Sequence, residues 1–274
     1  MRLASRQRIT GTAPGRRLYW LAAVLGLVLG AVAFAPARLL ALVASQASQA
    51  SGEHVRLVNA RGTLWSGRAD LVLAGGAGSR ESAALPQGLS WQLAPTWSGG
   101  PALRLRLDAP CCTPQGLDLL LAWRHGNARL ELGRHASSWP APWLAGLGSP
   151  WNTIGLQGRL QLQTEGSGIE WVDGRMRLSG PFELQALDLS SSLATLKPLG
   201  SYRLRVAPDA GGSPRLDIDT LDGALRLSGE GQWNGGRLRL RATAEAAPDN
   251  LDALSNLLNI LGRRDGARAH ISLG

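Results

Sequence analysis

Apolar and charged residues alternate along most of the chain beyond residue 55. The alternation is clearest in the segments 103–108, 159–163, 175–178, 202–206, 215–219, 225–227 and 237–241. A period of two places the apolar residues, mostly leucines, on one face of a strand and the arginines on the other. Because strands of parallel sheets are covered on both faces and read as continuous apolar runs, this pattern predicts antiparallel sheets with one solvated face.

Short glycine-containing turns separate these segments. They are Gly75-Gly76, Gly99-Gly100, Gly126-Asn127, Gly166-Ser167-Gly168, Asp173-Gly174, Gly211-Gly212, Asp222-Gly223 and Asn234-Gly235-Gly236. Asp-Gly and Asn-Gly between alternating runs are strong hairpin signals, so residues 55–274 are predicted to form a mainly β, antiparallel meander. The meander could close as a sandwich or stay an open, curved sheet with a groove. Tryptophans and prolines interrupt the alternation at 137–150, where a break between two lobes would fall.

One late segment has helical instead of strand periodicity. Its leucines, spaced three and four residues apart, are Leu251, Leu254, Leu257, Leu258 and Leu261. This spacing predicts an amphipathic helix from about Leu251 to Leu261, with Asp249 or Asn250 as the N-terminal cap and Gly262 as the C-terminal cap. The favoured interpretation is that the helix covers an open face or end of the sheet. The alternative is a docking surface for a partner that includes Leu254, Leu257 and Leu258.

The N-terminus combines a basic block with an uncharged segment. The five arginines of the block are Arg2, Arg6, Arg8, Arg16 and Arg17, and residues 18–35 carry no charge. Eighteen residues are at the lower limit for crossing a hydrocarbon core of about 30 Å as a helix. Pro36 disfavours cleavage after Ala35, so 18–38 is predicted to be an uncleaved transmembrane anchor. Since arginines stay on the cytoplasmic side, 1–17 would be a cytoplasmic tail, 39–54 a linker, and 55–274 an exported domain.

The net charge of +9 adds little to this picture. Five of the 29 lysines and arginines precede the uncharged segment, whereas all 20 acidic residues follow it. The remaining arginines alternate with leucines and do not cluster, as is typical of a solvated strand face. The basic excess is therefore a signal of membrane topology, and no nucleic-acid partner is expected.

The two cysteines of the chain, Cys111 and Cys112, are adjacent and lie between Pro110 and Pro114. Across the membrane the compartment is oxidising, so a disulfide is one alternative. Neighbouring Cα atoms are about 3.8 Å apart, below the usual separation of roughly 4.4–6.8 Å, so a vicinal bond would rigidify a tight turn. The other alternative is a pair of thiols in a loop. The four histidines have no metal-ligand spacing near this pair, so no metal site is expected.

No set of residues in the sequence points to catalysis. There is no Gly-x-Ser-x-Gly turn, no paired-histidine metal motif and no phosphate-binding loop with its lysine, since Lys197 is the one lysine of the chain. The sequence therefore predicts a non-enzymatic protein with no catalytic residues, no cofactor and no small-molecule substrate.

Tryptophan is the unusual residue, with ten copies against two phenylalanines and two tyrosines. Its large apolar area and single N–H donor suit interfaces and lipid boundaries. The tryptophans in strand-like contexts, expected to be core residues, include Trp65, Trp123, Trp171 and Trp233. The cluster in the proline-rich segment, a candidate exposed interface, consists of Trp139, Trp143 and Trp151.

Two phrases of the sequence resemble a known family. The stretch Gly62-Thr63-Leu64-Trp65-Ser66-Gly67-Arg68-Ala69, soon after the N-terminal segment, is similar to the Gly-x-(Leu/Val)-Trp-x-Gly-x-Ala phrase of the type II secretion system protein N family. The closing stretch 254–266 is also similar to the end of that family, and the likeness covers nearly the whole chain. Related glycine and tryptophan strand phrases occur in other envelope proteins, including AsmA-like ones.

The resemblance implies an inner-membrane component of the general secretion pathway, with a periplasmic β domain after a single N-terminal span. Its partners would be inner-membrane platform and outer-membrane components of that machine. The family brings no catalytic residues, and its phrase implies turn or bulge glycines at Gly62 and Gly67 and a packing residue at Trp65. Two functions compete: a scaffold or assembly subunit, and an AsmA-like module that binds membrane lipid in a groove on the apolar sheet face.

Overall fold

The computed structural model describes residues 16–50, 55–75, 82–124, 126–149, 151–172, 175–234 and 237–274. By internal contacts the chain divides into two compact units, residues 1–35 and Pro36–Gly274. The described part of the first unit is mainly one helix, α1 (Arg16–Ala33). The second unit contains all of the described strands and helices that follow.

Helix α1 ends at Ala33, earlier than the span predicted over 18–38. The helix stops because Pro36 lacks an N–H donor and disfavours helical backbone in the residue before it. Large apolar side chains on all sides of α1 are exposed, among them Leu21, Leu25 and Leu27. Within the described residues, none of the helices has both the length and the apolar character required to span a membrane.

The segment 39–54, predicted to be a linker, is largely helical. Helix α2 (Ala37–Ala50) begins directly after Pro36 and packs along the first strand. Serines and glutamines dominate its second half, which led to the linker prediction. Its first half instead places Ala37 and Leu40 against the buried ring of Trp91, so this helix belongs to the packed structure.

Eighteen strands follow α2 in the described residues. They are β1 (Val55–Gly62), β2 (Ser66–Ala74), β3 (Ser82–Ala84), β4 (Leu89–Trp97), β5 (Pro101–Asp108), β6 (Leu117–Arg124), β7 (Asn127–Leu132), β8 (His135–Pro140), β9 (Gln157–Thr164), β10 (Ser167–Val172), β11 (Arg175–Ser179), β12 (Phe182–Ser190), β13 (Gly200–Pro208), β14 (Pro214–Gly223), β15 (Leu225–Asn234), β16 (Arg237–Ala246), β17 (Arg263–Asp265) and β18 (Arg268–Leu273). A 3₁₀ helix (Ala141–Leu147) and helix α3 (Trp151–Ile154) lie between β8 and β9.

The strands form two nine-stranded sheets, and every described pairing is antiparallel. The first has the order β1-β2-β4-β5-β6-β7-β10-β11, with β3 paired to β2. The second has the order β17-β18-β16-β15-β14-β13-β12-β9-β8. The fold is therefore mainly β and antiparallel, as the alternation predicts, and the sheets are open.

Three strands pass from one sheet into the other at a shared corner. Only two residues separate β7 from β8, β9 from β10, and β11 from β12. The hydroxyls of Thr164 and Ser167 lie 2.6 Å apart there, and both donate to the carbonyl oxygen of Pro181, at 3.0 and 2.6 Å. Strands that bend from one sheet to the next in this way make the corners of orthogonal sheet packings. The segment 137–150 lies just beyond the corner, within the single compact unit.

Helix α4 (Leu251–Leu261) has the bounds that the leucine spacing predicts. Leu254, Leu257 and Leu258 are buried against β15, β16 and β18. The predicted caps differ, because Asn250 makes no side-chain capping bond and is the last residue of a 3₁₀ turn, Pro248–Asn250. Gly262 is extended, with φ of 177°, and a side chain there would collide with the backbone of His270.

Candidate functional site

The apolar faces of the two sheets are only partly covered. Three separate buried clusters form under α2, under α4 and around the loop between β5 and β6. Between these clusters, the apolar strand positions stay half-buried. They include Leu93, Leu103, Leu119, Leu121 and Leu130 in the first sheet and Leu162, Leu184, Leu204, Val206, Ile218 and Leu240 in the second. A large apolar surface of this kind marks a binding site more often than a filled core.

One stretch of this surface forms a cavity of about 330 Å³ where β11 of the first sheet faces β13 and β14 of the second. All of its lining residues are apolar: Leu162, Ile169, Met176, Leu178, Phe182, Leu184, Leu204, Val206, Pro214, Leu216 and Trp233. The size is at the lower end of ligand pockets, which span roughly 300–1,000 Å³. The absence of polar groups from the walls means that the cavity suits a purely apolar chain.

The outer faces of the sheets carry the charges that the alternation predicts. Arg215, for example, lies 3.2 Å from both Asp217 and Glu230, and all three side chains are well exposed. Exposed ion pairs of this kind contribute about 0–1 kcal/mol to stability. No group of three or more histidines, cysteines or acids that could hold a metal ion occurs in the described part of the chain.

The predicted tryptophan interface is turned largely inward. The rings of Trp139 and Trp143 stack with centroids 5.7 Å apart and pack against the cluster around Leu85 and Cys112. The Trp143 indole N–H donates to the Ala83 carbonyl at 3.1 Å. Trp151, in α3, is 38% exposed. The first two residues are therefore packing residues, because the distant β5–β6 loop covers them.

The sulfur atoms of Cys111 and Cys112 are 2.06 Å apart, at bonding distance. Cys112 is buried, and its carbonyl oxygen accepts a hydrogen bond of 2.9 Å from the Ser138 N–H. Because Ser138 lies in β8, this turn connects the β5–β6 loop of the first sheet to the edge of the second. The vicinal bond rigidifies the backbone at that connection.

We expect neither cysteine to react with an alkylating reagent under denaturing, non-reducing conditions. In the Cys112→Ser variant the bond cannot form, so one thiol should be labelled. Mass spectrometry of the alkylated chain counts the labels, and a sample reduced before denaturation is the positive control. Two labels on the untreated, air-oxidised protein would show that the pair is a pair of thiols.

His135 is a buried ionisable group at the corner between the sheets. Its Nδ1 donates to the carbonyl oxygen of Gly116 at 3.1 Å, since that oxygen can only accept. Its Nε2 is buried and has no hydrogen-bond partner among the described residues. Burial lowers the pKa of His135 below 6.5, although the Gly116 hydrogen bond and the charge of Asp118 partly oppose the shift. The neutral imidazole is therefore the stable form in the fold.

We expect the free energy of unfolding to decrease as the pH falls below about 6.5, because His135 takes up a proton more readily in the unfolded chain. The stabilising effect is complete above the unfolded pKa and is lost as the pH approaches the lower folded pKa. Urea unfolding between pH 5 and 8 would measure this, with His135→Gln expected to flatten the curve. His270→Gln, at an exposed position, is the matched control. An unchanged pH dependence in His135→Gln would contradict the assignment.

Tyr202 is the second shifted group. Its hydroxyl donates to the carbonyl oxygen of Leu225 at 2.9 Å, under the end of α4. Burial raises its pKa well above the ordinary value of 10. Tyr202 therefore stays neutral and serves as a structural hydrogen-bond donor.

The phrase at 62–69, which resembles the family, contacts strand β4. The Trp65 carbonyl accepts a hydrogen bond of 2.7 Å from Leu93, and the Trp91 indole donates to the Leu64 carbonyl at 3.1 Å. Gly62 has φ of 97°, which favours glycine, as a turn or bulge position requires. Gly67 is different, because it lies against the ring of Trp91 and needs the space.

Two tryptophans expected in the core are exposed. Trp123 and Trp171 are each 41% exposed and Trp97 is 76% exposed, whereas the fully buried one is Trp91. The strand register places the three exposed residues in one line across the first sheet, here called the tryptophan row: Trp97, Trp123 and Trp171. The sequence contains a signal for their exposed position. Each of the three lies two or three residues before a glycine-containing turn and therefore at a strand end.

The fold and its surface define an open antiparallel β protein with an apolar inner face and a charged outer face. A model of the family described as type II secretion system (T2SS), protein N, matches residues 53–271. The chain belongs to that family. Neither the curated proteins nor the solved structures contain a match.

Family membership involves the chain in type II secretion and implies association with other components of that system. It is also consistent with a location in the cell envelope. The family is a secretion-machinery component and is not known as an enzyme.

Proposed function

We propose that this protein is a non-enzymatic subunit of the type II secretion machinery, anchored in the inner membrane by its N-terminal segment, with the β unit in the periplasm. Two features support the anchor: the arginine block before it, and α1, whose apolar side chains are exposed on all sides. A helix that is apolar all round requires an apolar environment such as lipid.

The anchor is tested by its orientation. A reporter active only in the periplasm, fused after Gly274, should be active, and changing the five N-terminal arginines to glutamate should scramble the topology. Recovery of a mature chain that starts at Pro36 and is free of membranes would refute the anchor.

The scaffold role is supported best by the free edge of the second sheet. β17 pairs only with Arg268–His270 of β18, so Ile271–Leu273 forms an edge with β16 on one side only, among the described strands. The first sheet has β1 as an edge strand. This strand carries a bulge at Asn59, which is a common protection against strand addition. The β18 edge is therefore the proposed site where a strand of an inner-membrane platform or outer-membrane component adds to the sheet.

Leu273→Lys should weaken this strand addition, because a charged edge residue disfavours pairing. The measurement is recovery of platform and outer-membrane components with the tagged full chain from solubilised envelopes. Leu221→Lys, at a similarly exposed leucine of β14, is the matched control. Equal recovery with Leu273→Lys and the unmodified chain would refute the edge as the docking site.

A second candidate function, an AsmA-like lipid-binding or lipid-transfer module, is favoured by the cavity. A peptide strand would bring N–H and C=O groups into walls without a polar partner, which costs several kcal/mol. An α-helix with its side chains is about 10–12 Å across, too large for a partly open cavity of about 330 Å³. An acyl chain has neither problem, so it is the apolar ligand that fits.

Phospholipid that co-purifies with the detergent-solubilised chain, measured by mass spectrometry, tests this candidate. Val206→Trp should reduce the lipid recovered, because the larger ring fills the cavity. Leu103→Trp, at a half-buried position of the same type outside the cavity, should not. Equal lipid in both variants and in the unmodified chain would refute the cavity as the lipid site.

A further inference from the structure

The tryptophan row is an apolar surface at one end of the first sheet. Trp97 pairs with Pro101, and the Ala102–Ala122 pair places Pro101 opposite Trp123. Trp123 pairs with Ala128, and Ala128 in turn pairs with Trp171, so the three rings share one face and one strand-end level. This is the leucine face of the sheet. Leu121 is two residues from Trp123 and Leu130 is two residues from Ala128, so both leucines lie on the same side as the rings.

The chemistry of the row fits a boundary between apolar and aqueous phases. The indole N–H groups of Trp97, Trp123 and Trp171 make no hydrogen bond within the described residues, whereas those of the buried Trp91 and the half-buried Trp143 each donate to a carbonyl oxygen. Tryptophan is enriched where its ring contacts acyl chains and its N–H contacts headgroups or water. An exposed row of three at one level has the form of an aromatic belt.

One unpaired cation lies at the same strand end as the row. Arg124 follows Trp123 directly in β6, so its side chain lies on the opposite face of the sheet from the rings. The side chain is exposed and makes no ion pair with any described residue. Its positive charge at this end of the sheet complements anionic headgroups.

The row also continues into the apolar cavity. Trp171 pairs with Met176, and Met176 and Trp233 line the cavity together. A bilayer in contact with the row would thus lie beside the cavity.

The direction of the strands indicates which bilayer the row would contact. The chain enters the β unit at Pro36, which is bridged to Thr63 in the turn between β1 and β2. The β1–β2 turn and the row lie at the same end of the first sheet. In this turn the Trp65 carbonyl accepts a hydrogen bond from Leu93, which is four residues, or about 13 Å, from Trp97 along β4. The exposed leucines and valine of α2, which are Leu39, Leu42 and Val43, lie in the turns next to Pro36.

We propose that the tryptophan row inserts into the interface of the bilayer that holds α1, so that the first sheet stands on the membrane at its tryptophan end. This inference rests on the proposed inner-membrane anchor. It names one occupant, the phospholipid interface, because the three rings, the unpaired Arg124 and the apolar cavity lie at the same end of the first sheet.

Photocrosslinking of the full chain tests the proposal. The chain is reconstituted in vesicles of phosphatidylethanolamine and phosphatidylglycerol with a benzophenone amino acid at position 97, 123 or 171. Position 151 is the matched control, because Trp151 is 38% exposed but lies outside the row. Position 25, in α1, reports insertion of the anchor. We expect lipid adducts at the three row positions, several-fold above position 151, and at position 25.

The outcomes separate the two proposals. Lipid adducts at position 25 without adducts at the row would overturn this inference and leave the anchor standing. Adducts at the row without adducts at position 25 would overturn the anchor and support the membrane contact of the row. Adducts of the row only with protein, or labelling at position 151 equal to that at the row, would also overturn the inference. A Trp97→Phe, Trp123→Phe, Trp171→Phe variant should lose most of the quenching of tryptophan fluorescence by brominated phospholipid, whereas Trp151→Phe should not.

Discussion

The Leu257→Asp variant should leave the β unit protease-sensitive and scarce in the membrane. Leu257 is 2% exposed and lies between Leu254 and Leu258 against Ala244 and Ala246. The substitution buries a carboxylate among apolar side chains without a partner, which costs several kcal/mol. A domain is held together by about 5–15 kcal/mol, so this one change removes a large share of the stability. Limited proteolysis of membranes and immunoblotting for abundance are the measurements.

The same helix provides the control. Ile260 is 46% exposed on the outer side of α4, so Ile260→Asp places an equal charge in solvent and should change little. If α4 were instead a docking helix, Leu257→Asp would stay folded while losing a secretion partner. Normal protease resistance with unchanged abundance would contradict the burial of Leu257.

Elements specified by local periodicity were predictable from the sequence. The alternation at 202–206 lies inside β13, and the leucine spacing from Leu251 to Leu261 reproduces the bounds of α4. The predicted Asp222-Gly223 turn is instead the last part of β14, where the two residues pair with Ser201 and Gly200. Such patterns work because the side chains that define an element are neighbours along the chain, so burial of one face leaves a regular signal.

Features that depend on contacts between distant segments were not predictable. The corner requires β7, β10 and β11 to bend in register into β8, β9 and β12, and no local pattern encodes such a bend. The packing of Trp139 and Trp143 depends on the loop that contains Cys112, more than twenty residues earlier in the chain. Helix α2 was missed because its packed residues are mostly alanines in a segment rich in serine and glutamine.

The candidate groove was only partly predictable from the sequence. Leucine-rich strand faces predicted both a filled core and an open surface, because the residues of either are the same. The structure distinguishes them by coverage: α2, α4 and the β5–β6 loop each bury one part of the apolar face, whereas the part around Leu204 and Val206 lines a partly open cavity beside β11. The extent of the open apolar surface is therefore determined by the helices and the loop that cover the sheets, more than by the strands.

The Gly67→Val variant should also destabilise the β unit, through the first sheet. A Cβ atom at Gly67 would lie 2.7 Å from the Arg61 carbonyl oxygen and 2.9 Å from a ring carbon of Trp91. Both distances are well below ordinary van der Waals contact, and valine adds two further methyl groups. The ring cannot move aside, because it is buried under α2 and its N–H is bonded to the Leu64 carbonyl. Overpacking of this kind costs about 1–3 kcal/mol or more.

Thermal unfolding of the purified full chain measures the effect, and Gly133→Val is the matched control. The nearest atom to a Cβ at Gly133 is the Asp118 carbonyl oxygen at 3.9 Å, so valine has room there. Combining Gly67→Val with Trp91→Leu should recover part of the lost stability, since the smaller side chain vacates the site that valine needs. Strict additivity of the two substitutions would show that they do not share that space, and would refute close approach as the reason for glycine at position 67.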